Sequence, residues 1–288
     1  MCTGKTRPTP LQAEHSIDDD SIIIAEPTQS STITEIRSLS EIARTVATVD
    51  DLLEKLTLSK EEMLRIEQAT RGQANNLEWK RLRKGRVTAS NFYRVYTKVE
   101  SLRRKPNTDC SKLVESLLNP PNIGHLPQIS RGVQLEQTAV EKLRALLLQQ
   151  GHSNVNIREC GLFIHPQQPY MGASPDGICS CDCCGDRLVE IKCPTRDIGS
   201  LPYLERKNGK VALKRKSLYY GQVQGQMMVT DIKETYFFVF NDESYAIDSI
   251  NIDEQFCEQL SSNIALFFTQ YLAPQLIIGS SKKRKLSE

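Results

Sequence analysis

The 288-residue sequence has no run of about eighteen apolar residues, the least that a membrane-crossing helix needs, which argues against a membrane span. Its start lacks a basic segment followed by an apolar one, which argues against a secretory signal. An excess of either charge is also missing. Lys and Arg number 37 against 35 Asp and Glu, a net +2, so affinity for a charged partner must come from local clustering. Cysteine is present without the makings of a disulfide framework. Nine is an odd number, and five of them fall between Cys179 and Cys193, a pattern suited to a reducing, intracellular compartment. The 39% apolar and 25% charged residues are ordinary for a globular protein, with room for one substantial α/β domain and tails.

Residues 1–50 are rich in Ser, Thr, Asp and Pro, and carry eight acidic against four basic side chains. Ile22-Ile23-Ile24 is their one apolar cluster, too little to offset the entropy of ordering, so this stretch is expected to be a disordered leader. Helices are expected after Asp50 or Asp51 as N-cap, with Leu52, Leu53 and Leu56 as stripe, and from Ser59, which forms a capping box with Glu62. In Trp79–Tyr96, four basic residues (Arg81, Arg83, Lys84, Arg86) surround Gly85 before Thr88-Ala89-Ser90 opens a helix. Hydroxyls and amides at a helix start beside Arg suit a phosphate, and equally a solvated basic turn.

A helix over 131–150 places Val133, Val140, Leu143 and Leu147 on one stripe, and Glu136 falls in the same stripe. Strands are expected at 161–165, 170–178, 188–193 and 235–240, a basic loop or hairpin at 203–216, and helices at 218–230 and 253–272. Within 218–230, Tyr220, Val223 and Met227 form an apolar line, and Tyr219, Gln222 and Gln226 a polar one. Residues 276–288 read as a basic tail, in which 281–285, Ser-Lys-Lys-Arg-Lys, could serve as a nuclear import signal.

The chain is organised around Gly172–Pro194. Two strands joined by a tight connection put Asp176 at one strand's end and Glu190 and Lys192 on one face of the next, opposite Val189 and Ile191. Two carboxylates and an amine converging there are costly to bury without compensation, and a divalent cation supplies it. This is the pattern of the PD-(D/E)XK nuclease core. Beside Asp176 and Glu190, Glu136 reads as a third inward acid. Between the strands stand Cys179, Cys181, Cys183 and Cys184. Their spacing is too tight for the usual tetrahedral zinc site of two separated pairs, which weighs against zinc there, even with Cys193.

A basic turn with Thr-Ala-Ser, a helical Glu, Ser-Pro-Asp-Gly, Glu-Ile-Lys-Cys-Pro and Tyr-x-x-Gln-Val-Gln follow one another between Trp79 and Phe240. That order closely resembles the YqaJ-type viral recombinase family, the family of phage lambda exonuclease. The resemblance implies an α/β fold with a PD-(D/E)XK, restriction-endonuclease-like core, a mixed central sheet flanked by helices, over 51–275. It further implies that Asp176, Glu190, the Ile191 carbonyl and Glu136 hold Mg²⁺, with Mn²⁺ as an alternative. Lys192 and Gln222 would act at the reacting centre, and Arg83, Ser90, Ser174 and Tyr219 would bind DNA phosphates or face the scissile region. The activity implied is a metal-dependent 5′-to-3′ exonuclease on duplex DNA ends, serving recombination, repair or mobile-element processing. An endonuclease or a non-catalytic DNA-binding scaffold are the alternatives. A ring-shaped homotrimer and a single-strand annealing partner are further implied.

Overall fold

The computed structural model describes residues 36–120, 127–207 and 209–285, so the leader up to residue 35 and its Ile22–Ile24 cluster lie outside the described residues. Order begins earlier than the composition suggests. Helix α1 (Leu39–Ala43) lies in the stretch expected to be leader; Ser38 caps it in a capping box with Glu41, and Leu39, Ile42 and Ala43 are buried. Thr48, rather than Asp50 or Asp51, caps α2 (Val49–Lys55), and Ser59 caps α3 (Lys60–Ala69) with the expected Glu62 box. Helix α4 (Leu77–Arg83) runs into the short strand β1 (Val87–Thr88), from which α5 (Ala89–Arg104) starts. Helix α6 (Ser111–Leu118) precedes the long α7 (Pro127–Gln149), which ends before Gly151 in the left-handed region at φ 91°.

The strands then follow: β2 (Asn156–Arg158), β3 (Phe163–Ile164), β4 (Met171–Ala173), β5 (Gly177–Cys181) and β6 (Gly185–Lys192). The expected strand over 170–178 is thus two strands, broken at Ser174-Pro175-Asp176. The basic segment folds as a hairpin of β7 (Leu204–Lys207) and β8 (Lys210–Leu213). Helix α8 (Leu218–Thr230) leads to β9 (Glu234–Phe240), and β10 (Tyr245–Asn251) pairs back onto it. Helix α9 (Glu254–Phe267) passes through a π-helical turn at Phe268–Leu272 into α10 (Ala273–Lys285), so residues 276–285 continue a helix instead of forming a separate tail. Among the described residues no helix is long and apolar enough to cross a membrane.

Five strands form a mixed sheet in the order β10-β9-β6-β5-β2. Strand β6 is central, parallel to β9 and antiparallel to β5. Period-2 alternation along β6 divides the interior. Val189 and Ile191 face the α7 side, packing with Ala139, Leu143, Leu147 and Phe238. Leu188 faces the other way, onto Tyr220, Val223 and Met227 of α8. A further core joins α5 to α9, where Phe92, Val95 and Val99 meet Leu260, Ile264 and Phe267.

Helices α5 and α8 approach closely because α8 carries glycine at the contact. A methyl at Gly225 would sit 2.2 Å from the Phe92 ring, and one at Gly221 would sit 2.6 Å from Cβ of Tyr93. Overpacking of this kind costs about 1–3 kcal/mol. Gly225→Ala is therefore expected to lower the melting temperature by several degrees. Gly279→Ala, at an exposed α10 position with open space around it, should raise it slightly. Equal melting of the two variants would contradict the packing described.

Candidate active site

The turn that breaks β4 from β5 is held from several sides. The Asp176 amide donates to the Val189 carbonyl at 3.1 Å, and the Ile191 amide donates to Asp176 Oδ2 at 2.6 Å. Gln73 Nε2 donates to the Pro175 carbonyl at 2.8 Å and to the Cys160 carbonyl at 3.1 Å, from a residue itself in the left-handed region at φ 39°. Trp79 Nε1 donates to Ser174 Oγ at 2.9 Å. The Asp176 carboxylate is thus locked to the strand that carries Glu190 and Lys192.

Glu190 is 1% exposed. Burial of a charge this complete needs partners, and three are present. Lys192 Nζ and Gln222 Nε2 donate to its Oε1 at 2.5 and 2.6 Å, and Gln226 Nε2 donates to Oε2 at 2.7 Å. A carboxylate oxygen accepts about two hydrogen bonds, so Oε2 keeps one lone-pair direction open. Lys192 also lies 5.1 Å from the ring centroid of Tyr219. Burial alone would lower the Lys192 ammonium, but Glu190 and Asp176 outweigh it and raise its pKa above the usual lysine range.

Glu136, half-buried on α7, lines a cleft with Asp176, Glu159 and Gln73. Burial first, then repulsion from Glu190, raises its pKa. The same two causes, in the same order, raise Asp176 well above the ordinary carboxylate range. Three acids therefore crowd one ammonium, a donor set of hard oxygens that fits a divalent cation such as Mg²⁺. Asp176, Glu190 and Glu136 are the residues that could hold it.

A second cluster adjoins this one. Arg83 stacks on Trp79, its guanidinium carbon 3.8 Å from the ring centroid, and donates to Thr88 Oγ1 at 3.2 Å. Thr88 Oγ1 is in turn 3.3 Å from Ser90 Oγ. Burial pulls the Arg83 guanidinium down to about 10. Burial lowers Arg86 to about 10 as well, but Arg86 is spent on the carbonyls of Leu82 and Pro169, and Arg81 is paired with Glu41 and Glu78. Trp79 joins the two clusters, touching Arg83 with its ring and Ser174 with its N–H.

All ten residues expected from sequence thus fall into these two adjoining clusters. Gln73 and Trp79 belong with them without having been expected as site residues, and so does Gln226, which was read only as a member of the polar line of α8. For Gln226 the signal was its place one turn after Gln222 on the polar line of α8. The cysteines are arranged differently from the expectation. Cys179 is buried in the apolar layer under α7 and Cys193 packs at its edge, whereas Cys181, Cys183 and Cys184 gather at the β5–β6 turn with His152.

A mixed sheet whose central hairpin presents Asp, then Glu-x-Lys, with a helix-borne acid beside them, defines a protein of the PD-(D/E)XK nuclease fold. The chain belongs to the family of the YqaJ-like viral recombinase domain, whose sequence profile matches residues 78–233, just over half of its length. The crystal structure of an alkaline exonuclease from Laribacter hongkongensis is similar, with a TM-score of 0.50 and 25% identity over 73% of this chain and 98% of that one. The same exonuclease in complex with dAMP gives a TM-score of 0.50 and 26% identity at the same coverage. No curated protein sequence matches the chain.

The crowding of acids has a measurable sign. An acid whose folded pKa lies above its unfolded one adds stability below the unfolded value and loses it as pH rises through the folded one. In chelator at neutral pH, the native chain should therefore melt lower than Asp176→Asn, which cannot ionise. The gap should close as pH falls toward the ordinary Asp value of about 3.8, and Mg²⁺ should raise the melting temperature of the native chain alone. Equal melting at neutral pH without metal would show that Asp176 is not destabilised by its surroundings.

Proposed function

We propose that the protein is a divalent-metal-dependent deoxyribonuclease that degrades duplex DNA from phosphorylated 5′ ends. The observation that carries this reading is the gathering of Asp176, Glu190, Glu136 and Lys192, beside an arginine with no carboxylate partner among the described residues. The likeness to the alkaline exonuclease of Laribacter hongkongensis, which extends over 98% of that chain, supports it. A complex of that exonuclease holds dAMP, a deoxynucleoside monophosphate of the class that stepwise DNA hydrolysis releases.

Asp176, Glu190, Glu136 and the Ile191 carbonyl would hold Mg²⁺, with Mn²⁺ as an alternative. When bound, the ion neutralises the phosphate and makes water a better nucleophile. Asp176 offers its oxygens from a turn fixed by the Ile191 amide, and Glu190 offers the open direction on Oε2. Lys192, paired with Glu190 in the metal-free cleft, would position the attacking water and stabilise the charge that develops on the phosphate. Gln222 and Gln226 keep Glu190 oriented, and Tyr219 faces the Lys192 ammonium across the cleft. His165 is occupied as an acceptor of the Gln167 and Gln168 amides, and His152 stands with the cysteines, so neither serves as general acid. The attacking water would give up its proton to bulk solvent, and the leaving 3′-oxygen would take one from it.

Arg83, Thr88 and Ser90 would receive the terminal 5′ phosphate, and Ser174, joined to them through Trp79, marks the passage from that anchor to the cleft. A phosphate would give Arg83 a counter-charge, and charge-assisted bonds to phosphate are strong. The polarity of digestion then follows from which end fits.

The test is digestion of linear duplex DNA with labelled 5′-phosphate ends, beside a closed circle, with Mg²⁺ or chelator. Metal-dependent loss from the phosphorylated 5′ ends with an intact circle is expected. Cutting of the circle would make the protein an endonuclease, and binding without cutting a scaffold. Lys192→Ala should lower cleavage by about 10²–10⁴-fold with DNA binding kept. Arg83→Ala should remove the preference for 5′-phosphate over 5′-hydroxyl ends while leaving slow cleavage.

A further inference from the structure

The turn between β5 and β6 lies at the far end of the hairpin from Asp176. It brings three thiols together with one imidazole. Cys183 Sγ is 3.2 Å from His152 Nδ1, Cys181 and Cys184 Sγ are each 3.6 Å from that nitrogen, and Cys183 Sγ is 3.5 Å from both of the other sulfurs. All four ligand atoms lie within 4.8 Å of one another. A disulfide would bring two sulfurs to about 2.05 Å, so these are separate thiols. Five of the six separations are thus 3.2–3.6 Å and the sixth, between Cys181 and Cys184, is within 4.8 Å; a regular tetrahedron with edges of about 3.5 Å has its centre about 2.1 Å from each corner, close to the Zn–N distance of about 2.0–2.1 Å and the Zn–S distance of about 2.3 Å.

The backbone around the four is shaped to hold them. After α7 the chain turns at Gly151, with φ 91°, and the His152 amide donates back to the Leu147 carbonyl at 3.1 Å. Asn154, also left-handed at φ 52°, donates from its side chain to Asp182 Oδ2 at 2.6 Å, and the Asp182 amide donates to the Ser153 carbonyl at 3.2 Å. Gly185, at φ 70°, closes the turn behind Cys184. The loop that carries His152 and the turn that carries the cysteines are thus bonded to each other twice, both times through Asp182.

We infer that His152, Cys181, Cys183 and Cys184 form a structural zinc site. Three thiolates and a neutral imidazole are the soft and borderline donors that select zinc over Mg²⁺, and four protein ligands leave no open position for a substrate. The ligating nitrogen is Nδ1, so the imidazole carries its proton on Nε2. Binding displaces the three thiol protons into solvent and leaves a centre of charge −1. The site is remote from the acids: five strand residues separate Cys181 from Asp176, about 17 Å, and thirteen helical residues separate Glu136 from the end of α7, about 20 Å. Its effect on the cleft is mechanical. It ties the helix that carries Glu136 to the hairpin that carries Asp176, Glu190 and Lys192.

The test uses the full chain, purified under reducing conditions without added chelator. Elemental analysis should find about one zinc per chain, lost below a tenth in Cys183→Ser/Cys184→Ser and in His152→Asn, and kept in Asp176→Ala. Replacing zinc by Co²⁺ should give the visible bands of a tetrahedral thiolate complex, which an oxygen-ligated Mg²⁺ site cannot produce. That spectrum on the native chain decides the matter even where a variant fails to fold. A native chain that holds less than a tenth of an equivalent of zinc and shows no thiolate bands with Co²⁺ would overturn the assignment. So would finding two of the three cysteines joined as a disulfide in the reduced preparation. None of these readouts depends on nuclease activity, so the zinc site and the proposed reaction stand or fall separately.

Discussion

A carboxylate buried in the middle of a sheet is the constraint from which most of this structure follows. Glu190 is almost wholly removed from the surface, and removing any of its three donors would leave a desolvated charge short of a partner. Lys192 is supplied by the same strand, two residues on. Gln222 and Gln226 must come from elsewhere, so α8 has to cross β6 with that one face turned inward. The apolar line of the same helix packs on Leu188 and Phe237, and its glycines admit α5. The placement of α5 then fixes the helix start that holds Thr88 and Ser90. One buried charge thereby sets the position of two helices and of a second cluster.

The two clusters are opposite in sign. At the cleft, acids outnumber bases and their burial makes ionisation costly. At the start of α5, a buried guanidinium rests on an indole with hydroxyls for company. The first suits a cation and the second an anion. Their separation is kept by a chain of direct contacts through Trp79 and Ser174, and by Gln73 beneath the turn.

Much of this was legible in the residues, because the features concerned are local. Alternation in β6 places Glu190 and Lys192 together whatever the rest of the chain does, and the two lines of Tyr220, Val223, Met227 and of Tyr219, Gln222, Gln226 mark α8 as a helix. The order of short motifs carried the family. What escaped was non-local or ambiguous. Gln226 on a helix surface usually means solvent, and only the fold reveals that Glu190 lies opposite. His152 is 29 residues before Cys181, so spacing within the cysteine run could not show that its fourth member arrives from the end of α7. Strand β10 is a half-exposed edge whose apolar residues, Tyr245, Ala246, Ile247 and Ile250, do not alternate strictly, and it is defined by its pairing with β9. Helix α1 is five residues long, and its burial depends on partners far away, including Leu276.

Trp79 is the one tryptophan in the sequence. Its ring carries a cation on its face and its N–H ends on a serine two residues from the central aspartate. Indole emission responds to nearby charge and to the loss of a hydrogen bond. Light absorbed beyond the tyrosine band therefore enters the molecule at one place, the junction between the two clusters. The chain has an optical label there by construction, and its colour and intensity register what arrives at that junction without any residue being changed.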